Sequence, residues 1–113
     1  MGKMVTIDGI EYAPVQTMED GRVIVRSRDS GVHYGTMAKR DGSEVVLTDS
    51  RRLWSWSGAA SLSELATAGV TNPDFCKFTV RVPSILVLGV CEVIDCTAAA
   101  AQCIEGVPEW RVQ

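Results

Sequence analysis

The sequence predicts an α+β fold, an antiparallel or mixed β-sheet meander with two short helices packed on it. Three observations carry that expectation. Short runs of alternating apolar and polar residues recur through the first half, and Asp-Gly and Ser-Gly turns separate them, as in hairpin-connected strands. Two brief stretches, each opened by a hydroxyl residue and closed by glycine, carry helix start and stop signals. The 113 residues, 46% hydrophobic and 22% charged, have the size and composition of one globular domain spanning 1–113.

Taken in order, Lys3 to Ile7 and Ile10 to Val15 are expected as strands joined at Asp8-Gly9, where both turn positions favour positive φ. Thr17 to Gly21 reads as a polar turn. Arg22 to Arg28 alternates, with Val23, Val25 and Ser27 on one face and Arg22, Ile24, Arg26 and Arg28 on the other. After Asp29-Ser30-Gly31, Val32 to Lys39 forms the next strand, and Asp41-Gly42 turns into another from Ser43. An extended Leu47 to Trp56 places Arg52, Trp54 and Trp56 on one face, with Arg51, Leu53 and Ser55 on the other. Ser57 to Ala60 is a small-residue corner. Ser61 and Glu64 form a capping box, Leu62, Leu65 and Ala66 give the helix an apolar face, and Gly69 ends it. Phe78 to Val82 and Ser84 to Cys96 are extended. The apolar residues on both faces of Ile85 to Ile94 predict a central strand, with Gly89 marking a bulge or a close approach. Thr97 caps a second helix over Ala98 to Glu105 that stops at Gly106, and Val107 to Val112 returns as a strand.

The net charge of −3 disfavours duplex DNA as a partner. The first residues lack a signal-peptide core, and no apolar run is long enough to span a membrane, so a reducing cytoplasm is the expected location. Cys76, Cys91, Cys96 and Cys103 form no paired-cysteine motif, and His33 is the sole histidine, so no metal is expected. No nucleophile elbow, dinucleotide fingerprint or phosphate-binding loop occurs, and neither a cofactor nor an enzymatic activity is expected.

Two stripes stand out as candidate ligand contacts. Arg52, Trp54 and Trp56 could stack a flat base and grip phosphate, or the indoles could simply fill the core. Arg22, Arg26 and Arg28 could cradle an anion, or could guard an edge strand against pairing.

The run RRLWSWSGAASLSELATAGV, then CKF, then V-x-x-I-L-V-L-G-V-x-E-V-I, together with the upstream VRSRDSGV and the closing GVPEW, resembles a family of small phage proteins over roughly residues 22–112. The resemblance extends to the first-described Thoeris anti-defence family, the phage sponge proteins. It implies a homodimer or higher assembly in the host bacterial cytoplasm. Such an assembly sequesters cyclic ADP-ribose isomers, and in some members cyclic oligonucleotides of CBASS systems, without cleaving them. On that reading Trp54, Trp56 and Phe78 supply platforms, and Arg26, Arg28, Arg51 and Arg52 supply donors. His33 lies in the same region, where relatives often carry Phe, and Ser55 stands where they often carry an aromatic, which leaves the ligand preference open. The alternative is a phage protein that binds a host protein through the same aromatic and Arg surface.

Overall fold

The computed structural model describes residues 5–7, 10–12 and 18–112, with side chains from 21 onward. Strands β1 (Val5–Ile7) and β2 (Ile10–Tyr12) pair antiparallel with Ile7 opposite Ile10. The Asp8-Gly9 turn expected between them lies outside the described residues, as do Thr17 and the ends of the two flanking segments. The main sheet is built from β3 (Met18–Ser27), β4 (Gly31–Asp41), β5 (Glu44–Ser55), β6 (Lys77–Phe78), β7 (Val82–Val87) and β8 (Val90–Thr97). Helices α1 (Leu62–Ala68) and α2 (Ala98–Gly106) pack on one side of it, so the α+β meander is the observed fold.

The strand order is β6-β5-β4-β3-β8, with β7 also paired to β5, and all strand pairs are antiparallel. Among the described residues the one parallel contact is an isolated bridge between Phe78 and Glu109, and the C-terminal segment returns as that single bridge and not as a strand. β7 and β8 lie at opposite ends of the order, yet only Leu88 and Gly89 join them. Strands spaced ~4.8 Å apart would put them about 19 Å apart in a flat sheet. Three Cα steps reach at most about 11 Å. The sheet must therefore curl, and the link closes the curl. Val90 N–H donates to Ser43 O at 2.8 Å, and Ser27 Oγ donates to Leu88 O at 2.7 Å.

Three expectations are corrected here. Met18 to Gly21 belongs to β3 and is not a turn; a register irregularity between Met18 and Val23, with Gly21 at φ +73, bends the strand there. β3 is paired on both sides, so its arginines guard no edge. Ser84 to Cys96 is not one central strand. It breaks at Gly89 (φ +65) into the two outer strands, and Leu86 and Leu88 are more than half exposed.

Each face of the curled sheet holds its own apolar cluster. Val23, Val25, Val45, Leu47 and Val87 pack on one another inside the curl. Ile24, Tyr34, Leu53 and Phe78 pack against Leu65, Ala66 and Ile104 of the helices on the other face. In β5, Val45 and Leu47 face inward, whereas Leu53, of the same parity, faces the helices. Side chains alternate along a strand, so one extra residue must intervene. It lies at Asp49-Ser50. Thr36 pairs with Thr48 and Tyr34 with Arg51, leaving Gly35 alone opposite two residues of β5. Asp49 takes φ +49, a conformation that Asp tolerates better than most residues. A Cβ on Gly35 would lie 3.1 Å from Thr48 O and 3.2 Å from Ser50 Cα, so the bulge backbone occupies the space of a side chain.

The helices follow their caps. Ser61 Oγ accepts from Glu64 N–H at 3.1 Å, and Glu64 reaches back to Ala60 N–H. Thr97 Oγ1 accepts from Ala100 N–H and donates to Thr67 O at 2.6 Å, tying α2 to α1. None of the described helices is long and apolar enough to cross a membrane.

The bulge makes a substitution test. Asp49→Gly is expected to leave the urea midpoint unchanged or raised. Asp49→Val should cost about 1–2 kcal/mol, because a β-branched residue resists positive φ. Equal midpoints for the two variants would show that the strain is absent.

Candidate functional site

Two neighbouring rows of side chains cross the sheet. On the helix face Ile94, Ile24, Tyr34 and Arg51 stand opposite one another in turn, and on the inner face Val93, Val25, His33 and Arg52 do so. The adjacent arginines thus enter different environments, and the structure divides the candidate residues accordingly.

Arg51 is fully buried and, among the described residues, donates only to backbone. Its Nε reaches Thr79 O at 3.1 Å, Nη1 reaches Ile104 O at 2.7 Å and Val107 O at 2.9 Å, and Nη2 reaches Phe78 O at 3.2 Å. Its guanidinium lies 5.6 Å from the centroid of the Phe78 ring, which is itself fully buried. Carbonyls at a helix C-terminus carry partial negative charge, so Arg51 is satisfied there without a carboxylate. Arg51 and Phe78 are therefore structural, and leave the candidate set. They pin the end of α2 to β6 and the segment after it. Arg22 is likewise engaged on the helix face, where it and Tyr34 both donate to Glu105. Arg26 is exposed and faces Glu92 at 3.9 Å, a solvent-screened pair outside the two recesses described below.

The remaining candidates converge. β5 runs on beyond its last pairing with β4, His33 opposite Arg52, and this overhang carries Trp54 toward the end of the sheet. The turn after β3 brings Arg28 to the same end. Arg28, Arg52, Trp54 and Trp56 line an open recess of about 500 Å³, with Asp29 and Ser30 also in its wall. Trp54 is 63% exposed and stacks on Trp110, with centroids 6.5 Å apart and planes 18° apart. Trp56 is half-buried against the helix-face core. The core reading thus holds in part for Trp56 and fails for Trp54.

Arg52 also lines a second, smaller recess of about 150 Å³ with His33, Ser50, Thr79, Val80, Val82 and Ile85. His33 is buried, and its Nε2 lies 3.1 Å from Ser30 Oγ. Burial first, and then the charge of Arg52, push its pKa down to about 4, partly offset by a hydrogen bond to the Ser30 backbone. At neutral pH the ring is therefore uncharged and leaves Arg52 as the cation there. Ser50, Thr79 and Trp110 were not expected at the site. Ser50 reaches it only because of the bulge, and Thr79 because its backbone pairs with Arg52. Among the described residues no three His, Cys, Asp or Glu side chains cluster as a metal site.

The division of the arginines predicts unequal costs. Arg51→Met should lower the unfolding free energy by about 3 kcal/mol or more, since four backbone carbonyls lose a charged donor in the core, while Arg52→Met should cost under about 1. Equal losses in chemical denaturation would contradict the assignment. The buried ring predicts a pH effect. His33 binds its proton less readily folded than unfolded, so its contribution to stability is intact above pH about 6.5 and falls as the pH drops toward 4. Between pH 7 and 4.5 the melting temperature of the wild type should fall more steeply than that of His33→Gln; parallel curves would refute this.

Neither a curated protein nor a solved structure matches the chain. A family model described as a domain of unknown function (DUF6948) matches residues 20–104, more than half of the 113 residues. That stretch holds the whole inner row, the bulge and the described lining of both recesses, though not Trp110, which stacks on Trp54, and the chain belongs to the DUF6948 family.

Proposed function

We propose that this protein is a phage anti-defence sponge, which binds a cyclic nucleotide immune signal in the host cytoplasm and holds it intact. The observation that carries this reading is the open recess where Arg28 and Arg52 meet Trp54 and Trp56. A nucleotide needs a flat surface for its base and fixed donors for its phosphates. Exposed indole faces supply the first, and guanidinium groups in a fixed planar fork supply the second. Among the described residues Arg28 and Arg52 enter no ion pair, so both charges are available to an anion.

The recess is open among the described residues, and the reading includes a homodimer in which a second copy completes the site by two-fold symmetry. Capture must compete with the signal's own receptor and so requires nanomolar binding, about −12 kcal/mol. The reading includes cyclic ADP-ribose isomers first and cyclic oligonucleotides second. It assigns no chemical step to His33, whose Nε2 lies 3.1 Å from Ser30 Oγ.

A second reading has its own observation. The Trp54–Trp110 stack is well exposed, and Lys77 Nζ lies 5.3 Å from the Trp110 ring centroid, an aromatic and cationic surface of the kind that anchors a protein partner.

One experiment separates the two. The protein is mixed with cyclic ADP-ribose isomers or cyclic oligonucleotides, freed of unbound ligand, and heated. Unchanged nucleotide is expected in the supernatant, with retention lost in Arg52→Ala and Trp54→Ala. No retention and no thermal shift with any nucleotide favours the protein partner, and recovery of a product overturns capture in favour of catalysis.

A further inference from the structure

We infer that the small recess behind Arg52 receives a sugar ring, so that the ligand spans both recesses with its phosphates at the Arg52 they share. This rests on the nucleotide reading above and specifies the shape of its ligand. At about 150 Å³ the recess is below the ~300 Å³ at which drug-sized ligand sites begin, so it takes one small group and not a nucleoside. Among the described residues no tryptophan, tyrosine or phenylalanine lines it, so these walls offer no platform for a base.

Its walls differ in chemistry. Val80, Val82 and Ile85 make one side apolar, and Ser50, Thr79, His33 and Arg52 supply the polar groups. The Thr79 hydroxyl is already used, accepting from Arg52 N–H at 2.9 Å and donating to Val80 O at 3.2 Å. Ser50 also lines the recess, with only 1% of the residue exposed. A serine hydroxyl can donate to or accept from a hydroxyl of the ligand. A sugar presents C–H groups to an apolar wall and hydroxyls to a polar one. A bare phosphate would gain nothing from the three aliphatic residues. The bulge that turns Ser50 and Arg52 to the inner face is what builds this compartment.

The test uses the full-length protein and cyclic ADP-ribose as probe, with binding measured by calorimetry and by quenching of tryptophan fluorescence. Ser50→Val fills the recess from its floor, and Val82→Phe fills it from a partly exposed wall at little risk to folding. Each variant is expected to lose about tenfold or more in affinity, roughly 1.4 kcal/mol. The melting temperature should stay near that of the wild type. The quench at saturation should be unchanged, because the base still meets the indoles. If Val82→Phe binds as tightly as the wild type, the inference is overturned while the nucleotide reading stands. If Ser50→Val also loses melting temperature, Val82→Phe alone decides. If the wild type binds no nucleotide at all, both readings fall together.

Discussion

The structure depends on one register constraint, the extra residue that β5 carries at Asp49-Ser50 opposite Gly35. Before it, odd-numbered side chains of β5 fill the inside of the curled sheet; after it, they fill the layer under the helices. Two adjacent arginines are sent to opposite faces by ordinary strand alternation, and the bulge decides which goes where. Without it Arg51 would enter the inner core and Arg52 would point at α2. One backbone irregularity therefore fixes both the internal brace and the exposed cation.

The two guanidinium groups show how environment separates identical chemistry. Arg51 has traded water for the carbonyls of Phe78, Thr79, Ile104 and Val107, and these four bonds offset the desolvation it accepts. Its role is to hold α2 against the sheet. Arg52 enters no ion pair among the described residues and stands beside a neutral His33, lining two recesses. The curl contributes as well. Because Leu88-Gly89 draws β7 toward β8, the walls formed by Val82 and Ile85 close over the inner face instead of lying flat beside it.

Much of the fold was legible in the sequence, for physical reasons that can be named. Ser61, Glu64 and Gly69 delimit α1 because their side-chain and backbone chemistry has few other uses at that spacing. Alternation correctly separated Arg52 and Trp54 from Arg51 and Leu53 within their own segment. It could not relate that segment to Val45 and Leu47, since an aspartate at positive φ leaves no mark as plain as a glycine would. In the sequence Phe78 and Arg51 look like ligand groups, because residue type alone does not reveal that carbonyls already satisfy a guanidinium. The break at Gly89 was hidden inside an apolar run, where outer strands of a closed curl look like one central strand. The basic residues of β3 suggested an edge, whereas Arg22 is neutralised by Glu105 from a helix distant in sequence.

A crystal structure of the protein soaked with cyclic ADP-ribose would test the central claim most directly. The account predicts phosphate oxygens within hydrogen-bonding reach of the Arg52 guanidinium and the adenine lying flat on Trp54 or Trp56. A ligand seated elsewhere, with Arg52 extended into solvent and the indoles untouched, would contradict it.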